Sequence, residues 1–253
     1  MRGLKGKIAV IVGAATGIGK ATAIRLAEEG VSLALGDINV AGIEAVAAQI
    51  NETGGKVVAT RCDIADDASV KALVDLAVKT YGGIDFMHAN AADLKAVLSD
   101  TNAVDVPLEI FDRTIAVNLR GHLLCTRHAI PQFQKRGGGA IVYTSSAASY
   151  AGEPERVAYG VSKSGLNALM RHVASRWGKE GIRANAIAPG FVLTEGAKAQ
   201  VPQERRQEMI EKGRSIRLGE SEDIAAMVAM LASGDGEWIN GQVISVDGGI
   251  TMR

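Results

Sequence analysis

The chain has 253 residues, 28 basic and 28 acidic side chains, 47% hydrophobic residues, 30 glycines and two cysteines. Charge that is balanced and scattered excludes the basic footprint of a nucleic-acid binder and of a protein drawn to an anionic membrane, and no apolar run reaches the roughly 20 residues needed to span a bilayer. The length suits one domain; Cys62, Cys125 and the four histidines have neither a disulfide framework's number nor metal-ligand spacing, so no metal and a cytoplasmic location are expected.

Short apolar runs at residues 8–12, 32–35, 56–61, 84–89, 140–144, 183–187 and 242–246 read as strands. Several are continuous rather than alternating, which marks strands covered by helices on both faces. Between them, amphipathic patterns predict helices over 19–29, 69–81, 108–136, 159–180 and 221–232. The alternation predicts an α/β fold of the Rossmann type, a doubly wound sheet of seven parallel strands in a single domain over 1–253. Two connections exceed what a turn requires, 93–107 and 191–218. Both emerge from the carboxyl ends of strands, where ligands sit in open α/β sheets, so they are expected to form a substrate-side loop and a lid.

The first strand runs into Gly13, Ala14, Ala15, Thr16, Gly17, Ile18 and Gly19 and then opens a helix. Glycines there allow a tight turn and a close backbone approach, and a helix N-terminus offers N–H groups to a pyrophosphate. Asp37, with Ile38 beside it, ends the second strand, where an acid can accept hydrogen bonds from the adenosine ribose. A 2′-phosphate near that carboxylate would meet repulsion of about a few kcal/mol. No Arg or Lys stands at positions 14–16 to offset it, so NAD is preferred over NADP.

Tyr159 and Lys163 are four residues apart on a predicted helix, hence on one face. A phenol that exchanges a proton near neutral pH needs a cation beside it, because its ordinary pKa is about 10. Alone the pair is too common to carry an assignment, and its company decides. With the Gly-rich turn, Asn90-Ala91, Asn118, a serine after the fifth strand and Val246-Asp247-Gly248-Gly249 in this order, the chain resembles the short-chain dehydrogenase/reductase family over essentially its whole length.

The resemblance implies a catalytic tetrad of Asn118, Ser146, Tyr159 and Lys163. Tyr159 would exchange the proton, its pKa lowered first by the Lys163 ammonium and then by the oxidised nicotinamide; Ser146 would hold the substrate oxygen; Lys163 would also reach the nicotinamide ribose, and Asn118 would complete a proton relay. Asp63 and Ile64 would hold the adenine, Asn90, Ala91 and Ala92 would line the adenosine side, and Pro189, Gly190, Val192 and Thr194 would orient the carboxamide. Departures from the family pattern are Val12 for Thr, Ala89 and Ala92 for Asn and Gly, and Ser149 for Gly. Leu94, Ala148, Tyr150, Phe191 and Met209 lie where substrate is expected, and their mostly apolar character suggests a hydrophobic, cyclic or steroid-like secondary alcohol or ketone. A homotetramer is implied, built on the two long helices with Ile250, Thr251, Met252 and Arg253 reaching a neighbour. The rival readings are an NADPH-dependent 3-oxoacyl thioester reductase and a non-catalytic nucleotide-sensing protein; retention of all four tetrad residues opposes the second.

Overall fold

A computed structural model describes residues 1–252; Arg253, expected to take part in an intersubunit contact, lies outside the described residues. Strands β1 (Ile8–Val12), β2 (Ser32–Asp37), β3 (Val57–Arg61), β4 (Phe86–Ala89), β5 (Gly139–Thr144), β6 (Ile182–Pro189) and β7 (Val243–Val246) pair in parallel. Their order is β3-β2-β1-β4-β5-β6-β7. The helices between them are α1 (Gly17–Glu28), α2 (Val40–Glu52), α3 (Asp67–Tyr81), α4 (Leu108–Ile115), α5 (Gly121–Arg136), α6 (Val157–Trp177), α7 (Glu195–Gln200), α8 (Gln203–Lys212) and α9 (Ser221–Ala232). This is the expected Rossmann-type arrangement.

Successive strand residues feed opposite apolar layers, as a period of two requires. Val10 and Val12 pack with Leu73 of α3, Phe133 of α5 and Leu166 of α6. Ala9 and Ile11 pack with Leu26 of α1, Val46 of α2 and Val228 of α9. Each large aliphatic side chain buried this way contributes roughly 1.5–3 kcal/mol, and β1, buried along its whole length, feeds both layers.

Three local findings refine the sequence reading. Helix α2 was not among the expected helices; Asn39 caps it by accepting from the Gly42 N–H at 3.0 Å, and Ile43, Val46 and Ile50 supply its buried face. The expected helix over 108–136 is α4 and α5 joined by a π-helical turn, Ala116–Arg120, which carries Asn118. Helix α6 begins at Val157 and ends at Trp177, and the expected residues beyond it form a 3-10 turn, Gly178–Glu180.

The order in which strands are added reverses between β1 and β4, since β1 leads toward β2 on one side and β4 toward β5 on the other. In open parallel sheets ligands bind at such a switch point, beyond the carboxyl ends of the two strands.

Candidate active site

Beyond β1 the chain turns at Gly13, whose φ of +85° lies in the left-handed region that favours glycine. A Cβ there would stand 2.6 Å from the Cα of Ala91, just past β4. The Gly13 carbonyl accepts from Asn90 Nδ2 at 2.8 Å, and a Cβ on Gly19 would meet the same carbonyl oxygen at 1.8 Å. Backbone contact at the switch point therefore requires glycine at both positions. Thr16 precedes α1 without capping it through its side chain, so the helix start is open in the way that suits a pyrophosphate.

The Asp37 carboxylate accepts from the Ala15 N–H at 3.0 Å and the Asn39 N–H at 2.9 Å. It thereby ties the Gly-rich turn to the end of β2, and its remaining lone pairs can still accept from ribose hydroxyls. Ile38, beside it, is exposed. Asp63 accepts from the Ala65 N–H at 3.0 Å, while Ile64 is buried against Gly121. On the opposite side the segment after β6 crosses the turn, with Thr194 Cγ2 3.1 Å from where a Gly17 Cβ would lie. Gly190 abuts Asp247 at 2.9 Å by the same measure, and Val192 bridges to Gly219. Ala92, half-buried, follows Ala91. A close-packed glycine cradle, an open helix start and a carboxylate at the strand end fit a nicotinamide dinucleotide.

Two serines follow β5, and their environments differ. Ser145 is buried and its hydroxyl donates to the Lys163 carbonyl at 3.4 Å. Ser146 opens a 3-10 turn, accepts from the Ala148 N–H at 3.2 Å, and lies close enough to the Tyr159 phenol to favour its ionised form. Lys163 is 1% exposed, and its Nζ lies 5.7 Å from the centre of the Tyr159 ring and donates to the Thr144 carbonyl at 2.7 Å. Burial drives its pKa down to about 7.

The phenol corrects one expectation. Burial raises the Tyr159 pKa; Ser146 and then Arg156 oppose the rise, and Glu153 adds to it. The physical reason is the burial of the phenol, which disfavours its charged form.

Asn118 is fully buried on the π-helical turn. Its Oδ1 accepts from the Asp93 N–H at 2.9 Å, and its Nδ2 has no partner. The four expected tetrad residues thus come from β5's end, α6 and the α4–α5 junction.

The five expected substrate residues come from three segments of the chain. Phe191 and Met209 line a cavity of about 480 Å³ with Ile210, Arg217, Leu218 and Val246, and no tetrad residue borders it. Tyr150 reaches the Val243 carbonyl at 3.4 Å with its hydroxyl. Ala148 belongs to the turn that Ser146 opens, and Leu94 is 64% exposed.

Sequence reasoning missed several polar residues behind the tetrad. Thr144 accepts from Lys163 through its carbonyl, while its hydroxyl donates to Asn90 Oδ1 at 2.9 Å and contacts His88 Nε2 at 2.9 Å. His122 is buried with its ring close to the Val117 and Ala89 backbone, and its pKa is far below the ordinary value through burial and then the nearby Lys163. Asp100, 5% exposed, accepts from the Ala158 and Tyr159 N–H groups. Nothing in the sequence marks Asp100, because its partners lie 58 and 59 residues away.

Known proteins share this fold. A family model described as enoyl-(acyl carrier protein) reductase matches residues 13–251. A probable short-chain type dehydrogenase/reductase of Bradyrhizobium diazoefficiens is 39% identical, covering 97% of this chain and 88% of that protein. Among solved structures, a 7α-hydroxysteroid dehydrogenase complexed with NADH and 7-oxo glycochenodeoxycholic acid superposes with a TM-score of 0.91 at 34% identity, over 97% of this chain and 94% of the other. Levodione reductase superposes with a TM-score of 0.89 at 33% identity, over 96% and 97%. The chain belongs to the short-chain dehydrogenase/reductase family. It is by that membership an oxidoreductase of the alcohol and ketone type.

Proposed function

We propose that this protein is an NAD(H)-dependent oxidoreductase that interconverts a hydrophobic secondary alcohol, cyclic or steroid-like, and its ketone. The observation that carries this reading is the approach of Ser146 and Lys163 to one phenol, Tyr159, on the side of the sheet where the glycine cradle opens. Bound dinucleotide supplies the hydride acceptor or donor and, when oxidised, a positive charge. Tyr159 gives or takes the proton at the substrate oxygen, and Ser146 hydrogen-bonds that oxygen and steadies the charge that develops on it. With a pKa of about 7, Lys163 exchanges a proton at neutral pH. It can therefore take up and pass on a proton, and Asn118 on the π-helical turn stands as the outer member of the relay.

Asp37 supports NAD over NADP, for the charge reason given above. The adenine side is assigned to Ile38, Asp63, Ile64, Asn90, Ala91 and Ala92, and the carboxamide side to Pro189, Gly190, Val192 and Thr194. Segments 93–107 and 191–218 form the substrate-side loop and the lid. The likeness to a 7α-hydroxysteroid dehydrogenase supports a steroid-like substrate, and a nearly equal likeness to levodione reductase leaves its identity to the assay. We place the enzyme in the cytoplasm as a homotetramer, whose mass light scattering reads directly; among the described residues no helix is long and apolar enough to cross a membrane.

The test is a panel of steroid, terpenoid and cyclic alcohols and ketones, followed by nicotinamide absorbance with NAD and NADP, with Tyr159→Phe as control. Turnover that Tyr159→Phe abolishes while nucleotide binding persists is the expected result, and near-normal turnover in that variant would overturn the assignment. A clear preference for NADP would show that Asp37 has been misread. One rival keeps a specific observation in its favour: the matching family model is described as a reductase of carrier-linked substrates. NADPH-dependent reduction of a 3-oxoacyl thioester in the same panel would establish it instead.

A further inference from the structure

We infer that Asp100 is the positioning residue for Tyr159, a clamp from the substrate-side segment that sets where the catalytic helix begins. The inference rests on the proposed role of Tyr159. Helix α6 cannot close its own start: Arg156, in the cap position, has a φ of +67° and makes no side-chain capping bond. The first N–H groups of a helix have no partner within it and must be satisfied from elsewhere. Here they are satisfied from the chain after β4. The Val157 N–H donates to the Thr101 carbonyl at 3.1 Å, the Ala158 N–H to Asp100 Oδ1 at 3.1 Å and the Tyr159 N–H to Asp100 Oδ2 at 2.8 Å.

Both carboxylate oxygens are thus spent on two consecutive N–H groups, one of them the backbone of the proposed acid/base itself. A negative carboxylate at the positive end of a 21-residue helix is favoured by charge as well as by hydrogen bonding. The same segment is held at its other end by the second tetrad helix, where the Asp93 N–H donates to Asn118 Oδ1 at 2.9 Å and the Asp93 carboxylate pairs with Arg113. Asp93 also accepts from the Lys95 and Ala96 N–H groups at 3.0 Å, which starts the 3-10 turn Ala96–Ser99 that leads directly to Asp100. Residues 93–101 therefore span two members of the tetrad, tied to Asn118 at one end and to Tyr159 at the other. Leu94 and Leu98 on this strap are exposed, so its outer face is free of the core while its two ends are tied to the tetrad.

The experiment compares Asp100→Ala, which removes both acceptors, with Asp100→Asn, which keeps one. Each is assayed for kcat, KM for substrate and affinity for NADH by fluorescence, for the primary isotope effect with deuterated NADH, and for amide exchange over residues 157–166. In Asp100→Ala, kcat falls about 30-fold or more, NADH affinity stays within about twofold, the isotope effect rises as chemistry becomes limiting, and exchange at the start of α6 accelerates. Asp100→Asn recovers part of kcat. A folded Asp100→Ala variant whose kcat lies within twofold of wild type would overturn the proposal. So would loss of thermal stability with kcat and isotope effect unchanged, which would show a merely structural cap. Wild type without turnover would defeat the functional reading alone, and unchanged exchange over 157–166 in Asp100→Ala would then defeat the clamp separately.

Discussion

Lys163 is a lysine at 1% exposure with one hydrogen bond, to the Thr144 carbonyl, and no carboxylate paired with it. An unpaired buried amine costs stability and is kept where its chemistry is needed. Its folded pKa of about 7 lies below the unfolded value of about 10.4, so unfolding takes up a proton between those limits. The sign follows: its contribution is least unfavourable above about pH 10.4 and becomes more unfavourable as pH falls to 7. Lys163→Met, similar in volume and apolar, should raise the unfolding free energy by about 1–2 kcal/mol at neutral pH and by less near pH 10, while abolishing turnover. Urea unfolding at pH 7 and pH 9.5 measures both. A variant less stable than wild type at pH 7 would mean that the amine is better solvated than its burial indicates. The i,i+4 spacing of Tyr159 and Lys163 was legible in the sequence. The direction of their pKa values was not, because desolvation depends on which atoms pack around them.

At the scale of elements, the Gly-rich turn is the site's most constrained part. The spacing of Gly13, Gly17 and Gly19 predicted a turn and a helix, but only packing gives the reason for each glycine. Gly13 must pass the Ala91 backbone and Gly19 must pass the Gly13 carbonyl. Gly19→Ala would drive a methyl into a main-chain oxygen that Asn90 holds in place, so no flexible side chain can give way. We expect it to destabilise the fold by about 1–3 kcal/mol and to weaken nucleotide binding at least tenfold. A thermal melt and a fluorescence titration with NADH measure the two, and unchanged binding would mean that the cradle is not where the dinucleotide lies. Helix α2 was readable from Asn39 and the spacing of Ile43, Val46 and Ile50. The π-helical turn at Asn118 was not, since one extra residue per turn leaves no periodic trace in a five-residue stretch.

At the scale of the whole molecule, the interior behind the site holds imidazoles without charge partners. Burial lowers the His88 pKa to about 3, and His122 is lowered by burial, then by Lys163 and more weakly by His88. A histidine buried neutral adds stability above its unfolded pKa of about 6.5 that is lost as pH falls toward the folded value. The protein should therefore lose stability progressively from pH 6.5 to 5, before most carboxylates titrate. Urea midpoints at pH 7, 6 and 5 test it, and a flat profile would show that the imidazoles open to water at little cost.

By itself the sequence determined the strands and most of the helices, the glycine turn, the acid at the end of β2 and the reaction class, because these depend on local periodicity, on turn chemistry and on motifs a few residues long. Tertiary structure alone decided the rest. It turned the Ser145 hydroxyl to the Lys163 carbonyl and set Ser146 beside the phenol, put Phe191 and Met209 on a cavity that no tetrad residue lines, and brought Asp100 to the start of α6. Each outcome depends on contacts between residues distant in the chain or on burial in three dimensions, and a parallel sheet with long crossovers produces such contacts without leaving a pattern in the sequence.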